Sequence, residues 1–119
     1  MHELSLADAA LQICRRTAEG RRVTRVELRF GRLRQVVPDA FEFAFELLAD
    51  GTEVAGAELV IEDVPARVAC RRCGAESELD AFPLACAACG GLDVEVVAGE
   101  ECEVTSLEIE EAAVAAAGR

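Results

Sequence analysis

The chain has neither Trp nor Tyr, and its aromatic content stops at five Phe. Single-stranded bases are recognised by stacking on aromatic faces, so this composition argues against such a binder. Net positive charge is missing as well. Twelve basic residues, all of them Arg, face 23 acidic ones, which leaves −11 at neutral pH. A general phosphate-backbone binder does not carry that balance, so no nucleic-acid partner is expected. No run of 18 apolar residues occurs, and no membrane span or membrane partner is expected. The opening Met1-His2-Glu3-Leu4-Ser5 lacks the basic and apolar regions of a secretory signal, which makes the cytoplasm the expected compartment. Catalytic equipment is sparse too: one His, no evident nucleophile–base pair and no phosphate-binding loop, so an enzyme is not expected.

What remains is a foldable chain. Its 119 residues match the usual size of one domain, and 52% of them are hydrophobic. Residues 4–19 have the periodicity of an amphipathic helix, with Ala7, Ala10, Leu11, Cys14 and Ala18 on its inner face and Leu6, Ala9 and Ile13 widening the stripe. Ser5 with Asp8 resembles a capping box, which would leave Met1–Leu4 as a short arm outside the helix. Gly20 suits a left-handed cap. Residues 22–30 alternate, Val26, Leu28 and Phe30 against Arg25, Glu27 and Arg29, as a half-buried strand does. A second helix should open at Pro38 and bury Phe41, Ala44, Phe45 and Leu48 before Asp50-Gly51 stops it. Strands are expected at 58–64 and 103–110, the latter with Thr105, Leu107 and Ile109 inward. The Ala-rich last nine residues are expected to fray.

Between those two strands, residues 68–98 hold four of the six Cys and show no helical period. A segment so short needs a metal or disulfides to make up for its small core. The expected fold is therefore a small α+β (α/β) domain of two helices on a three-stranded sheet, with a four-cysteine zinc ribbon inserted in it. Residues 1–67 plus 99–119 would form the discontinuous α/β domain, and 68–98 the zinc-binding one.

Cys70-Arg-Arg-Cys73 and Cys86-Ala-Ala-Cys89, twelve residues apart, have the spacing of two metal knuckles. Two intervening residues let both thiolates of a knuckle reach one ion, with backbone N–H groups past the second Cys aimed at sulfur. Gly74 and Gly90 supply the unusual backbone angles. Four thiolates leave no open position, so Zn(II) held by Cys70, Cys73, Cys86 and Cys89 would be structural. Iron fits such a site chemically. Disulfides are disfavoured in a reducing compartment, and a redox Cys-x-x-Cys would have to open a helix. Cys14 and Cys102 are expected in the core.

The single His stands second. Its bulk should prevent removal of Met1, leaving an α-amine of pKa about 7.7–8.0 that a metal can deprotonate near neutrality. The Met1 amine and the His2 amide nitrogen would close a five-membered chelate ring, and that amide with imidazole Nδ1 a six-membered one. Three coplanar nitrogens suit square-planar Ni(II) or Cu(II). The fourth position stays open for the Glu3 backbone or carboxylate, water, or a group on another protein.

The charge is uneven. Residues 15–34 hold eight Arg against Glu19 and Glu27, and residues 70–119 hold three Arg against eleven acids. This pattern fits either solvated element faces or a dipolar surface that steers a charged partner. With Arg71 and Arg72 it is also the only support for a second function, a zinc-ribbon adaptor binding protein or nucleic acid without nickel transfer.

Met-His-Glu-Leu-Ser at the start, Phe-Ala-Phe-Glu at 43–46, Val64-Pro65-Ala66-Arg67, both Cys-x-x-Cys-Gly knuckles and the closing strand together resemble the HypA/HybF family of hydrogenase-maturation nickel metallochaperones. The resemblance covers essentially the whole chain. It implies an α/β nickel-binding domain and a zinc domain, with Ni(II) as transient cargo. It implies nickel bound by Met1, His2 and Glu3, His2 acting with N-terminal backbone nitrogens and Glu3 beside it. It further implies delivery to the large subunit of a [NiFe] hydrogenase with a maturation GTPase as partner, and in some members service to urease maturation proteins.

Overall fold

A computed structural model describes residues 2–80 and 82–110. Met1, Ala81 and the Ala-rich tail at 111–119 lie outside them, so the expected fraying of the tail falls beyond the described residues. The chain divides into two compact units. One draws on residues up to Leu28, on Val36–Ile61 and on residues from Glu103 onward; the other comprises Arg29–Gln35 and Glu62–Cys102. Among the described residues, no helix is long and apolar enough to cross a membrane.

In the first unit, helix α1 (His2–Ala18) packs on helix α2 (Pro38–Ala49). The buried face of α1 is small, made of Ala7, Ala10, Leu11, Cys14 and Ala18, while α2 contributes the Phe41 and Phe45 rings, 5.9 Å apart. Burying one full-sized side chain of this kind is worth about 1.5–3 kcal/mol, so the two rings anchor the layer. Leu6 is half-buried, but Ala9 and Ile13 are exposed, so the stripe is narrower than the periodicity implied. Phe43, the other ring on α2, is 64% exposed. Pro38, whose fixed φ suits a first turn, opens α2, and Thr52 closes it by donating its N–H and hydroxyl to the Ala49 carbonyl.

The start of α1 corrects the expectation of an arm. The helix begins at His2, and His2 and Glu3 form its first turn. The reason is tertiary. Glu3 Oε2 accepts the Val37 backbone N–H at 3.1 Å, so the first turn is tied to the entrance of α2, and Ser5 is a helical residue. An acidic side chain also favours the positive end of the helix dipole. At the other end α1 stops at Ala18, and Glu19 takes a left-handed φ of 52° ahead of Gly20.

Strands β1 (Val23–Gly31), β2 (Glu58–Val64) and β6 (Cys102–Ile109) form a three-stranded sheet in the order β2-β1-β6. The pairing of β1 with β6 is antiparallel, since Glu110 N–H meets the Arg22 carbonyl at one end and Gly31 N–H meets the Glu101 carbonyl at the other. Leu107 and Ile109 are half-buried, whereas Thr105 is exposed and bonds the Glu27 carbonyl. Cys102 is only half-buried, unlike the fully buried Cys14.

Sequence patterning missed the second unit's own sheet. It comprises β3 (Ala66–Cys70), β4 (Glu76–Leu79) and β5 (Val94–Ala98) in the order β4-β3-β5, both pairings antiparallel. On β3, Ala66, Val68 and Cys70 are buried and Arg67 and Ala69 are less so. A short 3-10 turn at Arg32–Arg34 carries the Arg32 guanidinium to Asp63 at 2.8 Å and Asp80 at 3.3 Å. The whole is a two-helix, three-stranded α+β fold joined to a ribbon-like three-stranded module that bears four cysteines.

Candidate metal centres

β3 ends on Cys70, and the chain turns at once. Gly74 N–H returns to the Cys70 carbonyl and Cys73 N–H points at Cys70 Sγ, 3.4 Å away. The second knuckle repeats the first. Gly90 N–H bonds the Cys86 carbonyl, and Cys89 N–H lies 3.4 Å from Cys86 Sγ. Gly74 and Gly90 sit at φ 79° and 75°, where a side chain would be strained. The N–H of each second Cys therefore serves the first sulfur, and past the second Cys of the first knuckle the Ala75 N–H is aimed at the Cys73 sulfur, as the spacing indicates. Ser77, buried on β4, accepts the Ala87 N–H at 3.0 Å and holds the second knuckle against the sheet. Nothing in the sequence marked Ser77, because an isolated Ser among acidic residues looks like solvated surface.

All four sulfurs lie within 4.8 Å of one another, with Cys70–Cys89 at 3.7 Å and Cys73–Cys86 at 3.5 Å. A disulfide needs about 2.05 Å, so these are free thiols. Tetrahedral zinc–thiolate bonds of about 2.3 Å put sulfurs about 3.8 Å apart, close to the Cys70–Cys89 and Cys73–Cys86 distances. Their acidities diverge. Backbone N–H groups of Cys73 and Arg72 hold Cys70 below its ordinary range. The Cys89 N–H does the same for Cys86, lowered to about 6. Cys73 is pushed up to about 11: the Ala75 N–H draws it down, but the sulfurs of Cys86 and Cys70 outweigh that. Four crowded thiolates repel one another, and a divalent cation at their centre removes the conflict. Cys70 and Cys86 are buried while Cys73 and Cys89 face outward, with Arg72 and Gly91 beside them.

The other set of candidate ligands begins α1. The His2 side chain is 52% exposed and that of Glu3 14%, with His2 Nε2 3.8 Å from Glu3 Oε2. The Glu3 carboxyl is held below its ordinary value, first by the Val37 N–H, then by its own backbone N–H, with the neighbouring His2 charge adding to it. Helix geometry leaves the first N–H groups without an intrahelical acceptor, so the His2 amide nitrogen is not tied into the α1 ladder. The structure thus brings His2 and Glu3 together; Met1, the third expected nickel residue, lies outside the described residues. Val37 is the participant the sequence did not reveal. A backbone N–H carries no side-chain signature, and nothing but tertiary contact could expose it.

The Arg-rich stretch is consumed internally. Of the eight Arg at 15–34, seven hold an acid or a carbonyl. Arg15 pairs with Glu53, Arg25 with Glu27 and Glu108, Arg29 with Glu62, and Arg32 with Asp63 and Asp80. Arg21, Arg22 and Arg34 donate to the carbonyls of Ala18, Ala55 and Glu100. Arg71 is bound to Asp93 at 3.0 Å. Guanidinium groups spent on neighbouring acids do not make a bare basic patch.

Comparison with known proteins agrees with this architecture. The family described as "Hydrogenase/urease nickel incorporation, metallochaperone, hypA" matches residues 1–109. The hydrogenase maturation factor HypA of Geotalea uraniireducens is 49% identical over 110 residues, covering 92% of this chain and all of the relative. That of a Nostoc species is 37% identical over 114 residues, covering 96% of this chain and all of the relative. In three dimensions the chain is similar to the solution structure of the Ni metallochaperone HypA from Helicobacter pylori, with a TM-score of 0.66 at 24% identity, covering 90% of this chain and 96% of the other. Matched along nearly its whole length to relatives that are themselves matched end to end, the chain belongs to the HypA family of hydrogenase maturation factors.

Proposed function

We propose that this chain is a nickel carrier for [NiFe] hydrogenase maturation, holding Ni(II) at its N-terminus and passing it on without catalysing a reaction. Met1, His2 and Glu3 form the cargo site. The Met1 amine, the His2 amide nitrogen and imidazole Nδ1 supply three nitrogens in one plane, and the fourth position stays open to exchange. The observation that carries this reading is the first turn of α1, in a chain of the HypA family: an exposed imidazole beside an anchored carboxylate.

The same reading assigns Cys70, Cys73, Cys86 and Cys89 a resident Zn(II) of structural role. When bound, it neutralises the crowded thiolates and ties the two knuckles to β3 and β4. It divides the chain into a nickel-binding domain of residues 1–67 plus 99–119 and a zinc-binding domain of 68–98. The partners it names are a maturation GTPase and the hydrogenase large subunit, with urease maturation proteins as further clients, all met in the cytoplasm where thiols stay reduced. The adaptor alternative is weakened by the internal pairing of seven of the eight Arg at 15–34 and of Arg71.

Elemental analysis before and after nickel addition is the test, on the wild type, on His2→Ala and on a version with one residue added before Met1. Zinc should be retained throughout, and one nickel should bind to the wild type alone. Equal nickel affinity in all three removes the terminal site.

A further inference from the structure

We propose that the Glu3 carboxylate is a positioning group and not a nickel ligand: it takes the Nε2–H of His2, leaving Nδ1 to face the metal, while the Val37 N–H holds it in place. This rests on the carrier reading and gives the fourth position to something other than the Glu3 side chain.

Three observations lead here. Ring closure with the His2 amide nitrogen requires Nδ1, which turns Nε2 away from the ion. In the structure it is Nε2 that approaches Glu3, at 3.8 Å from Oε2, so a small rotation of the exposed imidazole closes a hydrogen bond. Metal-binding histidines commonly donate their second ring N–H to a carboxylate, which fixes the tautomer and makes the ring a better donor. Thirdly, Glu3 Oε2 already accepts the Val37 N–H at 3.1 Å, and the Glu3 side chain is only 14% exposed. A carboxylate that swung out to bind nickel would forfeit that bond and leave the Val37 N–H without it. The dipole argues the same way. The start of α1 carries partial positive charge that opposes a cation, and an anionic side chain fixed in the first turn offsets it without occupying a coordination position.

Nickel binding by Glu3→Ala, Glu3→Gln and His2→Ala, measured on the full-length, zinc-loaded protein with Ni(II) as the probe, tests the assignment. Glu3→Ala should bind about 10–100-fold more weakly, the usual effect of losing a carboxylate behind a metal-bound histidine. Glu3→Gln keeps one acceptor oxygen and should fall between Glu3→Ala and wild type. In metal-free protein with the imidazole neutral, the ¹⁵N shifts of His2 should report the Nε2–H tautomer in wild type and a mixture in Glu3→Ala, a change that a purely structural role does not produce. The d–d band of the nickel complex should keep its position in both Glu3 variants. Exchange of the Val37 amide should stay slow when nickel binds the wild type. A shifted d–d band in Glu3→Ala, or faster Val37 exchange on adding nickel, makes Glu3 a ligand and overturns the proposal. Wild-type affinity in Glu3→Ala overturns it too, and leaves the carrier reading standing as long as His2→Ala loses nickel. Undiminished binding by His2→Ala overturns both.

Discussion

Replacing Gly31 with Ala should be among the most damaging small substitutions in the chain. A Cβ built there would lie 2.0 Å from both the carbonyl carbon and the oxygen of Gly99, and 2.5 Å from the Glu100 nitrogen. All three are backbone atoms, so no side chain can swing aside. Relief requires the strand end and the segment around Gly99 to part by roughly an ångström or more, since real Cβ contacts hardly ever fall under 3.0 Å. Two hydrogen bonds cross this spot, Gly31 N–H to Glu101 at 2.7 Å and Leu33 N–H to Gly99 at 2.9 Å, and both would stretch. Losing them costs about 0.5–1.5 kcal/mol each, and overpacking adds about 1–3 kcal/mol. The total, about 2–6 kcal/mol, is a large part of the roughly 5–15 kcal/mol available to a domain. Gly51→Ala is the control. Its φ of 80° strains a side chain, but nothing lies within 4 Å, so it should lose only about 1–2 kcal/mol. Urea melts at fixed zinc concentration, followed by circular dichroism, give both numbers. If Gly31→Ala unfolds at the wild-type midpoint, or no earlier than Gly51→Ala, the steric account of this crossing is wrong.

Three further outcomes follow from the same geometry. Removing the metal with a chelator should abolish amide protection in β3, β4 and β5 while protection in α1 and α2 persists, because structural zinc supplies about 10–16 kcal/mol in finger peptides; full protection of β3–β5 in metal-free protein would contradict a structural role. Ser77→Ala strips the Ala87 N–H of its acceptor and should cost about 1–3 kcal/mol and speed zinc loss to a colorimetric chelator, whereas unchanged release would show that the knuckle holds without it. Burial pushes the Cys14 thiol up to about 11 from an ordinary value of 9. The folded state then keeps a proton that the unfolded state releases, so Cys14 favours folding below about pH 9 and that contribution is lost as pH climbs towards 11. In native protein at about pH 8, below the ordinary thiol pKa, iodoacetamide should spare Cys14 and label Cys102 first among the cysteines outside the knuckles; equal labelling would place Cys14 nearer the surface.

The elements legible in the sequence were those with a strong period. The stripe Phe41, Ala44, Phe45 and Leu48 recovered α2, and Pro38 marked its start because a fixed φ is a local property. The alternation at 22–30 and the run at 58–64 recovered β1 and β2. What failed was local grammar overruled from a distance. Ser5 with Asp8 looked like a cap, yet the helix already starts at His2, since the bond from Val37 to Glu3 joins residues 34 apart. The strands of the cysteine-bearing module went unseen because they are four or five residues long and each alternates over too few positions to register. The knuckles themselves were plain, as Cys spacing and the following Gly are set by local chelate geometry. Their support, Ser77, was not, and neither was Val37, since a supporting hydrogen bond depends on what the fold brings near.

The two proposed metal sites differ in the way their tasks require. The four sulfurs are drawn from two knuckles braced by backbone N–H contacts and a buried serine, so an ion among them would be held by four ligands on braced chain, although Cys73 and Cys89 face outward. At the start of α1 the candidate donors come from consecutive residues, His2 is half in solvent, and Glu3 is anchored. An ion held there can depart by rotation of one side chain and protonation of nitrogens, with the helix intact. Thermodynamic preference for Cu(II) over Ni(II) at such nitrogens is not corrected by any feature of this turn, which places selectivity in the metal supplied and in the protein that takes the open position. A carrier of this design needs a rigid body and a loose tip. The anchoring of Glu3 to Val37 marks where one gives way to the other.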